Sequence, residues 1–306
     1  FDLKTIFKNF KKRKNINKST GGFVEQSLKA NFKLVELPYF FLVFFGRILV
    51  FFYDGIFINW KFTNLRDDKN LEKKLLSLCE KFKKKKVLVD TRDTSNRYNM
   101  EIIEAFDLII QREKLKKFQN SKIISSMLPC TLVDFVEMND SINWNTIGKS
   151  QPNNEFKFDI FFSGKNTNTE RNHLIRTIES LNLSYFGGLN KKLLYEDYLK
   201  MIYNSAINLA PAGVGIFTFR HLEIFASCSF LMCSSKINEI ELPIPFLDGE
   251  DFISYNNLND FKEKAIFYIK NPEIRKQIAT NGRKKLEKYY SPLNHGKIIY
   301  DRLFRD

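Results

Sequence analysis

Residues 210–227 read APAGVGIFTFRHLEIFAS, and this stretch decides how the rest of the chain is read. It follows an apolar run of strand length, Ile207–Ala210, turns through Gly213 and Gly215, and enters a segment of helical pattern, Phe219–Ser227. Glycines let such a loop bend tightly, and a helix start offers unsatisfied N–H groups to an anion. Arg220 falls in the first turn, where a cation opposes the helix dipole. That placement makes more sense if an anion binds there. Glu223 follows one turn later, flanked by Leu222, Ile224 and Phe225, a costly place for a carboxylate without partners. It could accept both hydroxyls of a ribose. An internal Arg220–Glu223 pair at i,i+3 spacing is the plainer alternative.

Outward from this stretch, strands and helices alternate. Phe158–Phe162 is a strand, Ser163–Asn168 a polar loop, and Thr169–Leu181 a helix with Thr169 as its cap. Leu183–Phe186 and Phe230–Cys233 are further strands, with a helix at Leu193–Ser205. Phe261–Lys270, Pro272–Tyr289 and Leu293–Phe304 close the chain as helices, Pro272 at a helix start. Upstream, Leu71–Lys84 carries one apolar stripe, Val87–Asp90 and Asp107–Gln111 are short buried strands, and Met100–Phe106 lies between them as a helix. Strand, helix, strand in this order means a parallel α/β architecture. Ser141–Lys157 is the best linker, so two Rossmann-like domains are expected, 1–150 and 151–306.

Ligands of doubly wound sheets sit outside the carboxyl ends of strands. After Phe158–Phe162 come Gly164 and Lys165, then Arg171 just inside the helix, two cations placed to meet a diphosphate. No GxGxxG and no GxxxxGK[ST] is present, so neither a dinucleotide fingerprint nor a P-loop is available. His173, His221 and His295 show no metal-ligand spacing, and no metal site is expected. For His221, an imidazole on the helix surface is preferred to a phosphate contact.

The stretch Ala210–Ser235, with Pro245–Asp251 (PFLDGED), Asn271-Pro272-Glu273 and Asn281-Gly282-Arg283, resembles the C-terminal half of a GT-B glycosyltransferase. It is similar to the group 1 glycosyl transferases, with an exostosin-like R-x-x-E core. The resemblance spans roughly Phe158–Phe304; the N-terminal half shares only architecture. It implies an α/β GT-B fold, two Rossmann-like domains facing a cleft, with the tail helix Leu293–Phe304 crossing back to the first. It also implies that 1–150 takes the acceptor and 151–306 the nucleotide-sugar donor, of UDP or GDP type, without a metal cofactor. Glu223 would bind the donor ribose. Arg220 and the backbone at Thr218 and Gly215 would face the diphosphate, joined by Gly164, Lys165 and Arg171. Retaining members commonly carry a second glutamate eight positions earlier, where this chain has Gly215, so stereochemistry stays open. An inverting enzyme needs a general base from the first domain. Asp93 in DTRDTSNRY is the first choice, Asp90 the second, and Asp54 a third acid near a strand end.

Composition bounds the partners. The chain has 306 residues with 49 basic and 35 acidic side chains, a net charge of +14. Of the basic residues 36 are Lys and 13 Arg, and Phe (31), Ile (30) and Asn (29) are also abundant, as an AT-biased genome favours. Arg is the preferred reader of nucleic acid, so the basicity argues weakly for such a partner, and no specific nucleic acid is expected. A basic non-catalytic protein that binds nucleic acid or a membrane surface remains the alternative, as does a GT-B nucleotide-sugar epimerase. Four cysteines without a CxxC or zinc spacing suit a reducing compartment, the cytoplasm.

Leu37–Phe57 is the most apolar region, broken by Gly46-Arg47 and Asp54. Its Phe-, Val- and Ile-rich pieces, Leu37–Gly46 and Ile48–Tyr53, read as two buried strands; a membrane-dipping face is the minor alternative. Lys4–Lys18 carries seven basic residues, suited to a peripheral contact with an anionic membrane. A glycan or lipid-linked acceptor fits both features. The chain starts at Phe1 rather than Met, which leaves room for an upstream segment.

Overall fold

The computed structural model describes residues 20–35, 37, 39–59, 71–90, 98–126 and 156–305. The chain divides into two compact units, one of 1–134, 241–243 and 291–306, the other of 135–240 and 244–290.

The first unit contains α1 (Thr20–Asn31), α2 (Tyr39–Leu49), β1 (Gly55–Asn59), α3 (Leu71–Lys81), β2 (Lys85–Asp90), α4 (Met100–Ala105), β3 (Leu108–Gln111) and β4 (Ile123–Ser125). The strands form one parallel sheet in the order β1-β2-β3-β4. Strand side chains alternate between faces. Leu88, Ile109 and Ile123 meet Cys79, Ile102 and Phe106 of α3, α4 and the turn after α4 on one side. On the other side Val87, Val89, Leu108, Ile110 and Ile124 meet Val24 and Leu28 of α1, with Ile299 and Leu303 from the end of the chain. Those last two belong to a helix, Pro292–Phe304, so the tail returns to the first unit.

His295 of that tail helix is fully buried, its Nδ1 3.1 Å from Ser27 Oγ of α1. Burial pushes its imidazole down to about 3 from the ordinary 6.5. The folded state therefore holds the neutral ring while the unfolded chain takes up a proton below about pH 6.5. Stability is expected to be complete above that value and to fall on acidification, by about 2–3 kcal/mol between pH 7 and pH 4.5 from this group. Urea unfolding across that range should show the loss in the wild type and a shallower one in His295→Gln.

The second unit follows its own alternation: β5 (Phe158–Gly164), α5 (Thr169–Glu179), β6 (Tyr185–Leu189), α6 (Tyr195–Tyr203), β7 (Ser205–Ala210), α7 (Phe219–Ala226), β8 (Leu231–Ser234), β9 (Ile253–Tyr255), α8 (Leu258–Lys270) and α9 (Pro272–Tyr289). The tail helix is α10. Its parallel sheet has the order β6-β5-β7-β8-β9. Ile160, Phe162, Ile207, Leu209 and Met232 pack against Leu174 and Ile178 of α5 and Phe261 and Ala265 of α8. Phe161 points the other way, its ring 5.5 Å from that of Tyr198 on α6. The strand order reverses between β5 and β7, and there a doubly wound sheet opens its crevice.

Three expectations are corrected. Leu37–Gly46 and Ile48–Tyr53 are not buried strands: Tyr39–Leu49 is a helix, and Phe44, Phe45, Ile48, Phe51 and Phe52 are exposed. Strand preference is a preference for a pleated, half-buried surface. Without a sheet neighbour this segment satisfies its backbone by helical hydrogen bonds instead. The first strand is Gly55–Asn59, after Asp54. The cap of α5 is Asn168 rather than Thr169, since the Asn168 side chain accepts from the Arg171 N–H at 3.1 Å. His221 is buried rather than on the surface.

Candidate active site

The loops after β5 and β7 meet at the switch point, and Arg171 joins them. Its Nε donates to Ala212 O (3.1 Å), Nη1 to Lys165 O (2.8 Å) and Nη2 to Pro211 O (3.0 Å). Asn168 adds a bond from Nδ2 to Ala212 O. Burial, and then the neighbouring Arg220, lower the Arg171 guanidinium to about 10. A Cβ on Gly213 would stand 2.6 Å from Arg171 Nη2, so this glycine makes room for the guanidinium. The loop also turns tightly there, Gly213 N–H donating to Gly215 O at 3.0 Å. The loop after β6 is tied to the same end by Asn190 N–H to Gly164 O, 2.7 Å, and by Ser163 Oγ to Lys191 O, 2.8 Å.

Helix α7 leaves the β7 loop at Thr218. The Thr218 N–H donates to Nδ1 of His221 at 3.1 Å, so the imidazole caps its own helix. Arg220 reaches back across the β5 end. Its guanidinium donates to the Ser163 carbonyl and, through Nε, to Tyr198 Oη at 3.3 Å. It also lies over the Phe162 ring, 4.8 Å from the centroid, with Arg171 at 5.7 Å. A Cβ on Gly164 would come within 2.9 Å of Arg220 Nη2, which explains the glycine after Ser163.

Glu223 is buried one turn further along α7, where it accepts hydrogen bonds from the hydroxyls of Tyr198 and Tyr195. Burial raises its pKa, opposed by those two bonds and by the charge of Arg220. Burial likewise pushes the Tyr198 phenol up. The chain Arg220–Tyr198–Glu223 thus replaces a direct i,i+3 pair. A carboxylate offers about four lone-pair positions, and two tyrosines use two of them. The sequence reading missed Tyr195 and Tyr198; their signal is the i,i+3 spacing on α6, whose rings stack 6.2 Å apart.

The site residues of the second unit therefore share the carboxyl ends of β5 and β7. Gly164, Arg171, Gly215, Thr218, Arg220 and Glu223 hold or shape the two loops, and Lys165 lies exposed in the β5 loop. In the PFLDGED stretch, Asp248 accepts from Ser254 N–H at 2.8 Å, and Asp251 from Leu247 N–H at 2.7 Å and from Lys285. These acids serve the β9 turn.

In the first unit, Asp90 ends β2, is buried, and accepts from Tyr98 Oη at 2.7 Å. Asp93 lies outside the described residues. Asp54 precedes β1, at the amino ends of the strands, and pairs with Lys84 at 3.3 Å. The sequence reading also missed Arg112, Glu113 and Lys114, buried directly after β3 at the same sheet end as Asp90. Lys114 donates to Glu241 at 2.7 Å, and its N–H to Ser125 Oγ at 2.7 Å. Their signal is three charges in a row following the apolar run of β3. Among the described residues no cluster of His, Cys, Asp and Glu could hold a metal ion.

Residues 171–295 match the model of a family described as glycosyl transferase-like. The chain carries a glycosyltransferase domain. The transferase domain so defined contains Arg171, Arg220 and Glu223 and runs into the tail helix. Two solved structures share the GT-B fold over most of the chain. A glycosyltransferase from Rickettsia africae is 9% identical with a TM-score of 0.51, covering 90% of this chain and 84% of its own. Sucrose-phosphate synthase from Thermosynechococcus elongatus is 10% identical with a TM-score of 0.50, covering 90% and 82%. No curated protein sequence matches the chain.

Proposed function

We propose that this glycosyltransferase takes its sugar from a nucleoside diphosphate sugar held by the second unit and passes it to a hydroxyl of a glycan or lipid-linked acceptor held by the first. The observation that carries the reading is the Arg220–Tyr198–Glu223 chain at the switch point of the second sheet. Glu223 keeps acceptor capacity for the two ribose hydroxyls. Arg220, Lys165 and the start of α7 supply positive potential to the diphosphate, whose negative charge grows as the glycosidic bond breaks. Protein cations do this work in our reading, with no metal called for. Arg171 acts at one remove, pinning the loops that carry Lys165 and Gly215.

Asp93 and Asp90 remain our candidates for the base that takes the acceptor proton, and Glu113, which follows β3 at the sheet end that carries Asp90, is a third. In this division of labour the acceptor role falls to the unit of 1–134, 241–243 and 291–306, and the donor role to the unit of 135–240 and 244–290. We place the enzyme in the cytoplasm, where Cys79, Cys228 and Cys233 stay as buried thiols outside any disulfide.

Thermal shift against UDP, GDP, CMP and ADP tests the donor pocket. A ligand at about 100 times its dissociation constant adds about 2.7 kcal/mol. Stabilisation by UDP or GDP, followed by its release from the matching sugar nucleotide when acceptor is present, is the expected result. No shift with any nucleotide, together with salt-dependent DNA or RNA binding, would favour a basic binding protein. Sugar rearrangement or hydrolysis without transfer would favour an epimerase.

A further inference from the structure

We propose that α2 and the turn after it form a docking surface for anionic phospholipid membranes. Phe44, Ile48, Phe51 and Phe52 follow one another at i, i+4, i+7 and i+8, the spacing of one helical face. Phe51 is 81% exposed, Phe44 76% and Phe52 74%, and Phe45 beside Phe44 is exposed as well. Soluble proteins rarely show so many large apolar side chains together without a partner. With 11 residues α2 is too short to cross a bilayer, and no helix among the described residues is long and apolar enough to do so. It suits insertion to headgroup depth.

Charge selects the occupant. Beside α2 lies a cleft of about 620 Å³ lined by Arg47, Val50, Glu80, Lys81 and Lys83, three cations against one carboxylate. Arg47 and Val50 sit within one turn of Ile48 and Phe51, so the cations border the aromatic face. Lys84 stands next to them, exposed and shared with Asp54. An apolar face rimmed by cations complements acyl chains beneath phosphate headgroups. A second copy of a chain with a net charge of +14 would bring cations to cations.

The test is flotation of the whole chain with phosphatidylcholine vesicles, with and without phosphatidylserine. Binding to the serine-containing vesicles alone, weakened by salt, is expected. Phe51→Ser with Phe52→Ser should lower partitioning by about a hundredfold or more. Arg47→Ser with Lys83→Ser should lower it by about thirtyfold and flatten the salt dependence. All four side chains are exposed or line an open cleft, so unchanged melting of the variants is the control. Absence of vesicle binding overturns the proposal, as does equal binding to both vesicle types. So does a dimer in light scattering that the phenylalanine substitutions dissociate. No nucleotide enters the assay, so its outcome is separate from that of the donor-pocket test.

Discussion

Glu223→Gln is expected to weaken nucleoside diphosphate binding by about a hundredfold while leaving the fold at least as stable as the wild type. A hydrogen bond to a charged acceptor contributes about 1.5–3 kcal/mol, and two ribose hydroxyls are at stake. Glutamine keeps the shape and one oxygen, but its NH₂ cannot accept. The fold tolerates the change because burial already disfavours the carboxylate and raises its pKa. A raised folded-state pKa means stability complete below the unfolded value of about 4.5 and lost as pH rises through the folded one. The wild type should therefore lose stability on that rise, and Glu223→Gln should not. Calorimetric titration with UDP and GDP reads the affinity, and melting across pH reads the stability. Undiminished nucleotide binding by the variant would remove Glu223 from the donor site. Glu223→Ala is the harsher change, since it leaves the Tyr195 and Tyr198 hydroxyls without their buried acceptor.

Gly187→Ala is expected to destabilise the second unit by about 4 kcal/mol, a loss in melting temperature of roughly 8–16 °C. Gly187 sits in β6 at a φ of +120°, where a side chain is strained whatever the space. A Cβ there would also overlap the carbonyl of Phe162 on the neighbouring strand β5. Because the obstacle is backbone, rotamer changes cannot relieve it. The damage would reach the candidate site too, since the Phe162 ring carries the guanidiniums of Arg171 and Arg220. Gly188→Ala is the contrast: its φ is +127°, but a Cβ there meets only the Tyr185 hydroxyl, at 3.8 Å. It should cost less by differential scanning fluorimetry, and equal losses would show that strain alone is at work.

The second unit was legible because each strand is a short apolar run bounded by polar loops. Only β9 escaped: Ile253–Tyr255 is three residues long and carries Ser254 in its middle. The first unit hid more. Its α2 has the composition of a strand, and β4 is again three residues. In the candidate site, Arg220 and Glu223 were legible as neighbours because they lie on one helix. Arg171 looked like a phosphate ligand because sequence shows its charge but not the three carbonyls around it. Tyr195 and Tyr198 were missed because their i,i+3 spacing does not show that their partner lies on another helix. Gly187 lies just past the strand expected at Leu183–Phe186 and drew no notice, since a close backbone approach leaves no pattern in composition.

The return of α10 to the first unit has a consequence for how the protein is made. Val24 and Leu28, near the start of the chain, share a core with Ile299 and Leu303, near its end. On the ribosome the second unit can close once residue 290 has emerged, whereas the first must wait for the last helix. Until then Val87, Val89, Leu108 and Ile110 have only α1 to cover their sheet face, and a half-covered face is the kind of surface that draws chaperones and aggregates. The half of the molecule translated first is thus the half completed last, and a nascent chain truncated before Ser291 would release one finished unit and one open one.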